Sequence, residues 1–169
     1  MEPLNIRKHM DQDLGEIRSG MMRLGAMAEA SIRGGVAALV KRDRSEARRV
    51  IESDDEADQL AGWLDMSCLE FMARYQPLGA DLRAISCAIH MAVDLERIAD
   101  IGVNVAEAAM ELNRQHLIKP LVDIPRMGRV VAEMVDRAMR AYLNRDVEEA
   151  KGVCARDDEV DDLERQVFR

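Results

Sequence analysis

Two carboxylate pairs stand out in this 169-residue chain as candidates for chemistry: Asp54 with Asp58, and Glu96 with Asp100. Each pair is spaced i, i+4, so on a helix both carboxylates leave from one face. Like charges so placed repel by roughly 0.2–0.5 kcal/mol per pair, and a cation between them reverses the sign. Asn104, Glu107 and Glu111 continue the second stripe with further oxygen donors, and Asp157 with Asp161 repeats the first pair. Hard carboxylate oxygens suit Mg²⁺, Ca²⁺, Mn²⁺ or iron. The same residues also suit the solvated face of an amphipathic helix.

Other chemistries find no support. None of His9, His90 and His116 follows a glutamate by three residues, as a carboxylate-bridged di-iron bundle requires. His90 is expected at the edge of a helical core. Asp55-Glu56-Ala57-Asp58 spells a helicase box but has no phosphate-binding loop to work with. No nucleophile elbow and no CxxC pair occurs, so no enzyme class is favoured. Cys68, Cys87 and Cys154 read as reduced, buried thiols of a reducing cytosol. A net charge of -8 argues against a nucleic-acid surface and against adsorption to an anionic membrane. No secretory signal is expected from the first residues, and no run reaches the ~18–20 apolar residues of a spanning helix. A cytoplasmic protein is expected. Lys41, Arg42, Arg44, Arg48 and Arg49 form a basic cluster, read as a solvated helix end.

The positioning elements are helices. Aromatics are only 3% and prolines only four, while Ala, Leu, Met, Arg and Glu abound, which favours long helices over strands. Leu14, Ile17, Met21, Leu24, Ala28, Ile32 and Leu39 predict a helix over about 11–42. Val50, Ala57, Leu60, Leu64, Cys68 and Phe71 predict a second over about 46–75, capped by Ser45 and ended by Gln76-Pro77. Ile85, Ile89, Ala92, Leu95, Ala99 and Val103 predict a third to about residue 113. Lys119-Pro120 and Ile124-Pro125 mark a break before a fourth helix, 126–144, and a fifth from Val147.

The fifth helix repeats the second. Shifted by 103 positions without a gap, Arg42, Asp43, Glu46, Ala47, Val50, Asp54, Asp55, Glu56, Asp58 and Leu60 fall on identical residues, ten in nineteen aligned positions. Gly25 falls on Gly128. Such a repeat marks a duplicated helical unit. The third helix has no counterpart before Arg169, so a fragment or a short form lacking its last helix is expected. Helices four and five must then bury their open apolar faces on the first unit or on another copy. The units are placed at 1–115 and 120–169.

The stretch from Phe71 to Glu107 resembles the PhoU family, through Gln76, Pro77, Asp81, Leu82 and Arg83, then Asp94, Leu95, Glu96, Arg97, Ile98, Asp100, Asn104 and Glu107. Upstream, the segment 50–58 resembles the family's second helix. The resemblance implies an all-α fold of tandem three-helix up-down bundles, the second incomplete here. It implies metal ligands at Asp54, Asp58, Glu96 and Asp100, with Asp157 and Asp161 starting a second site and Asn104 and Glu107 as additional ligands. The metal would be iron, manganese, magnesium or zinc. It implies a non-enzymatic, cytoplasmic, homodimeric negative regulator of the phosphate-starvation response. Such a regulator connects the ATPase of a phosphate ABC transporter to a sensor histidine kinase, and meets the membrane through those partners only. Three departures are visible: Ala99 in place of a glycine before Asp100, Gly102 inside helix three, and the absent partner helix of the second site. Asp81 and Arg83 are expected to order the turn after Pro77. The rival readings are a metal-dependent enzyme using the same carboxylates, a PhoU-like domain of a larger transporter or regulator, and a structural helical oligomer.

Overall fold

A computed structural model describes residues 3–113 and 121–167, and every regular element among them is helical. The chain forms α1 (Pro3–Lys41), α2 (Arg44–Glu52), α3 (Asp54–Tyr75), α4 (Gly79–Leu112), α5 (Asp123–Asn144), α6 (Val147–Cys154) and α7 (Asp157–Val167). The break at Lys119-Pro120, the boundary between the two units and His116 lie outside the described residues.

The apolar stripes bury as their spacing dictates. Leu14, Ile17, Met21, Leu24 and Ala28 of α1 meet Leu60, Leu64, Cys68 and Phe71 of α3 and Ile85, Ala88, Ala92 and Leu95 of α4. Val135 and Met139 of α5 join this same core. The second unit therefore buries its open face partly on the first. Where α1 crosses α5, the repeated glycines make the room: a Cβ on Gly25 would lie 2.5 Å from Met139 Cγ, and one on Gly128 would lie 2.7 Å from a Val36 methyl.

The α1–α4 contact is closer still. A Cβ on Gly102 would stand 2.5 Å from the carbonyl carbon of Ser31, and the Ser31 hydroxyl donates to the Ala99 carbonyl at 2.8 Å. Gly102 is thus the residue that lets the two longest helices touch backbone to backbone. Gly35 sits against the same place from α1.

Among the described residues seven helices replace the five expected, because both repeated helices break at one position. Ser53 ends α2, its N–H shared between the Arg49 and Val50 carbonyls and its hydroxyl donating back to Val50. Arg156, 103 residues on, stands at the equivalent break between α6 and α7. The cap of α2 is Asp43, not Ser45: its Oδ1 accepts from the backbone N–H groups of Ser45 and Glu46 at 2.9 and 3.2 Å. Asp146 caps α6 in the same way. The residue before each cap, Arg42 or Arg145, is left-handed, with φ of 56° and 54°. Pro125 lies inside the first turn of α5 rather than before it, where its missing N–H has no intrahelical partner to lose.

Three smaller expectations change. His90 is exposed, its Nδ1 2.7 Å from the Ser86 carbonyl one turn back, and not at the core edge. Cys68 is buried, but Cys87 and Cys154 are exposed. Asp81, expected to order the turn after Pro77, pairs with Arg7 of α1 at 3.2 Å and ties the start of α4 to α1. In the basic cluster, Arg49 pairs with Glu46 and Arg42 donates to the carbonyls of Leu112 and Asn113 at the end of α4, while Lys41, Arg44 and Arg48 are exposed as on a solvated helix end.

Candidate metal centre

The break at Ser53 makes Asp54 the first residue of α3, and Asp58 follows one turn later. Asp100 comes from the facing side of α4. One carboxylate oxygen from each of Asp54, Asp58 and Asp100 lies within 4.8 Å of the others. Asp54 lines a small internal space together with Met27, Ala57, Ala99 and Val103 and with Ser31 and Ser53. Its Oδ1 is buried and accepts no hydrogen bond from any described residue. A buried acceptor without a donor costs about 1–3 kcal/mol, more when charged.

The electrostatics point the same way. Burial pushes the Asp54 carboxyl above its ordinary range, and Asp58, Asp100, Asp55 and Glu107 add repulsion. Burial also pushes Glu96 up, with Asp100, Asp58 and Asp54 behind it and Arg97 opposing. The described residues thus bring several negative charges together around an orphaned oxygen and place no hydrogen-bonded cation on it. A hard cation is the group this donor set fits: it would meet Asp54 Oδ1 and cancel the repulsion at once.

The sequence-derived residues divide clearly. Asp54, Asp58 and Asp100 meet, and Glu96 lies near enough to feel all three. Asn104 and Glu107 are exposed further along α4, and Glu107 contributes charge at Asp54. Asp157 and Asp161 are exposed on α7, and no described carboxylate gathers with them into a group of three. One neighbour escaped the reading. Asp65 lies on α3 seven residues after Asp58, and with Asp58 and Glu96 it lines a cavity of about 330 Å³ beside Ile89 and Val93. Two helical turns of spacing was the signal for it.

Comparison with known proteins bears on this fold and site. The PhoU domain family matches residues 21–109 and 124–169. A phosphate-specific transport system accessory protein PhoU homolog from Clostridium acetobutylicum is 35% identical over 163 residues, 96% of this chain and 74% of that protein. The corresponding PhoU of Escherichia coli is 29% identical over 165 residues, 95% of this chain and 68% of that protein. The crystal structure of PhoU from Pseudomonas aeruginosa superposes with a TM-score of 0.90 at 31% identity, over 94% of this chain and 77% of that one. The first two of these relatives are named as accessory proteins of a phosphate-specific transport system. With the matched segments covering both units and the bundle shared in three dimensions, the chain belongs to the PhoU family.

Proposed function

We propose that this chain is a cytoplasmic accessory regulator of a phosphate-specific transport system, and that it acts as a metal-bearing adaptor. The observation that carries the metal part is the meeting of Asp54, Asp58 and Asp100 around a buried oxygen with no donor. The relatives named for phosphate-specific transport support the rest. Asp54, Asp58 and Asp100 would hold the ion, with Glu96 beside them, and Asn104 and Glu107 are the additional donors on α4. Asp157 and Asp161 would start a second site. When bound, the ion supplies neutralising charge; iron, manganese, magnesium and zinc are the candidates. With the ion between them, the residues would hold α3 against α4 and present an acidic face beside it. In this reading the partners are the transporter ATPase and a sensor histidine kinase, the chain works as a homodimer, and the outcome is repression of phosphate-starvation genes when phosphate is ample. No described helix is long and apolar enough to cross a membrane; in this reading the chain meets it through the partners.

Co-purification from phosphate-replete cells tests this. The wild type should bring down both partners and carry metal, whereas Glu96→Gln with Asp100→Asn should lose most of the metal. Recovery of neither partner, with no metal in the wild type, would sink the adaptor reading.

A further inference from the structure

The cavity of about 330 Å³ between α3 and α4 is an apolar groove with an acidic rim. Gly62, Ile89 and Val93 form its floor, and Asp58, Asp65 and Glu96 stand around them. Leu69 follows Gly62 by two turns of α3, and Leu82 precedes Ile89 by two turns of α4, so both extend the same two faces. Leu69, Leu82 and Val93 are all exposed. Ile89 and Val93 leave α4 on the flank opposite Ala84, Cys87 and Met91, which face the corner between α5 and α6. The groove is thus built by α3 and α4 alone.

Two features here have no counterpart in the packing of the described residues. Gly62 interrupts the middle of α3, where glycine is less favourable than alanine, yet nothing lies within 4 Å of its Cβ position. At Gly20, Gly25, Gly34, Gly35, Gly102 and Gly128, by contrast, a Cβ would strike a neighbouring helix. Gly15 is as open as Gly62 but lies outside the groove. The second feature is charge: Asp58, Asp65 and Glu96 form no ion pair with any described residue. Asp65 also lies outside the group of three that would hold an ion, so it keeps its charge when that site is loaded.

We propose that the α3–α4 groove docks a basic amphipathic helix of a partner protein, with aliphatic side chains facing Gly62 and Val93 and lysine or arginine on the flank. That the occupant is a partner protein rests on the adaptor reading; the chemistry the groove demands of it does not. Carboxylates around an apolar floor match cations beside an aliphatic stripe, and they disfavour a second copy of this chain, whose net charge is -8. A helix lying along the seam presents residues i, i+4 and i+7 to it. The run from Leu82 to Glu96 is about 21 Å long and seats about four turns. Bare backbone at Gly62 lets one aliphatic side chain sit deep, and Asp65 receives the neighbouring cation.

The probe is a labelled helical peptide of leucine, alanine and lysine, amphipathic and about four turns long, beside a copy with glutamate in place of lysine. Fluorescence anisotropy should show saturable binding of the lysine peptide to metal-free and to Mn²⁺-loaded protein, weakening as salt screens the carboxylates. The glutamate peptide should not bind. Gly62→Arg places a long cation in the groove without an internal clash and should abolish binding with helicity intact. Asp65→Lys should weaken binding about tenfold, the effect of one lost charge-assisted contact. Glu164→Lys makes the same charge change on α7 and should leave binding unchanged. Should Gly62→Arg fail to fold, Val93→Lys takes its place. In phosphate-replete cells Gly62→Arg should lose the partners that wild type brings down while keeping its metal. A wild type without partners counts against the adaptor reading alone, since the peptide still decides the groove. Absence of saturation, equal binding by wild type and Gly62→Arg, or equal weakening by Asp65→Lys and Glu164→Lys overturns the proposal. So does a concentration-dependent dimer that Gly62→Arg breaks, since the groove would then hold a second copy.

Discussion

Gly102→Val is expected to destabilise the chain by about 3 kcal/mol or more, at the upper end of overpacking effects. For a chain of this size that lowers the melting midpoint by roughly 10 °C. The side chain would enter the space where the Ser31 carbonyl carbon already stands 2.5 Å from the Cβ position, and the obstacle is backbone, which has no rotamer to yield. The Ser31 bond to the Ala99 carbonyl would break as α1 and α4 separate. Asp100 would move with α4, so metal retention should suffer as well as stability. Gly15 is the matched control, because nothing lies within 4 Å of its Cβ position. Gly15→Ala should be neutral or stabilising by about 0.5–1 kcal/mol. Thermal melts of the two variants beside wild type check both; equal midpoints for wild type and Gly102→Val would refute the close-approach argument.

Asp54→Asn should remove part of the pH dependence that the carboxylate cluster imposes on the metal-free protein. The folded state raises the Asp54 pKa, first by burial and then by Asp58 and Asp100. Protonation therefore favours the native state. The stability that this proton contributes is full below the unfolded aspartate value of about 3.9, and it is lost as pH rises through the raised folded value. Glu96 acts in the same direction. Asp43, Glu149 and Glu159 act oppositely, since backbone or arginine partners lower their pKa values and their contribution disappears on acidification. The informative quantity is thus the difference between wild type and Asp54→Asn. Without metal, the variant should be the more stable at neutral pH, and the gap should close toward pH ~4. A divalent ion at a hundredfold excess over its Kd should add about 2.7 kcal/mol to the wild type at neutral pH. It should add less in acid, where protons compete for the same oxygens, and little to the variant. Melts from pH ~4 to 8, with and without Mn²⁺, measure this. Parallel curves with equal metal increments would mean that the three carboxylates are only a wet face.

The helical stripes were legible because burial follows the 3.6-residue period: Leu14, Ile17, Met21 and Leu24 lie inside as spaced. So was the gathering of Asp54 and Asp58, which one helix turn ensures. The opposite placement of Asp100 was legible only through the family resemblance, since no spacing within one helix specifies which helix faces it. The break at Ser53 left no Pro or Gly to read, and its φ and ψ of -82° and -6° depart little from a helix. The cap was misread as Ser45 although the repeat held the answer: Asp43 recurs as Asp146, whereas Ser45 becomes Glu148. Exposure of His90, Cys87 and Cys154 depends on which faces the neighbouring helices cover, and a single helix's pattern does not contain that.

The three thiols differ in a way that makes time a structural variable. Cys68 has no exposed surface, and burial, with Asp65 adding repulsion, pushes its thiol up to about 11. Cys87 and Cys154 stand in the open. A thiol reagent reacts through the thiolate and needs access. Two sulfurs per chain are therefore titrated promptly, while the third waits for the bundle to part. The rate of that last event follows how often α3 leaves its place between α1 and α4. The chain thus carries an internal clock for its own opening, running in the helix that also bears Asp54 and Asp58.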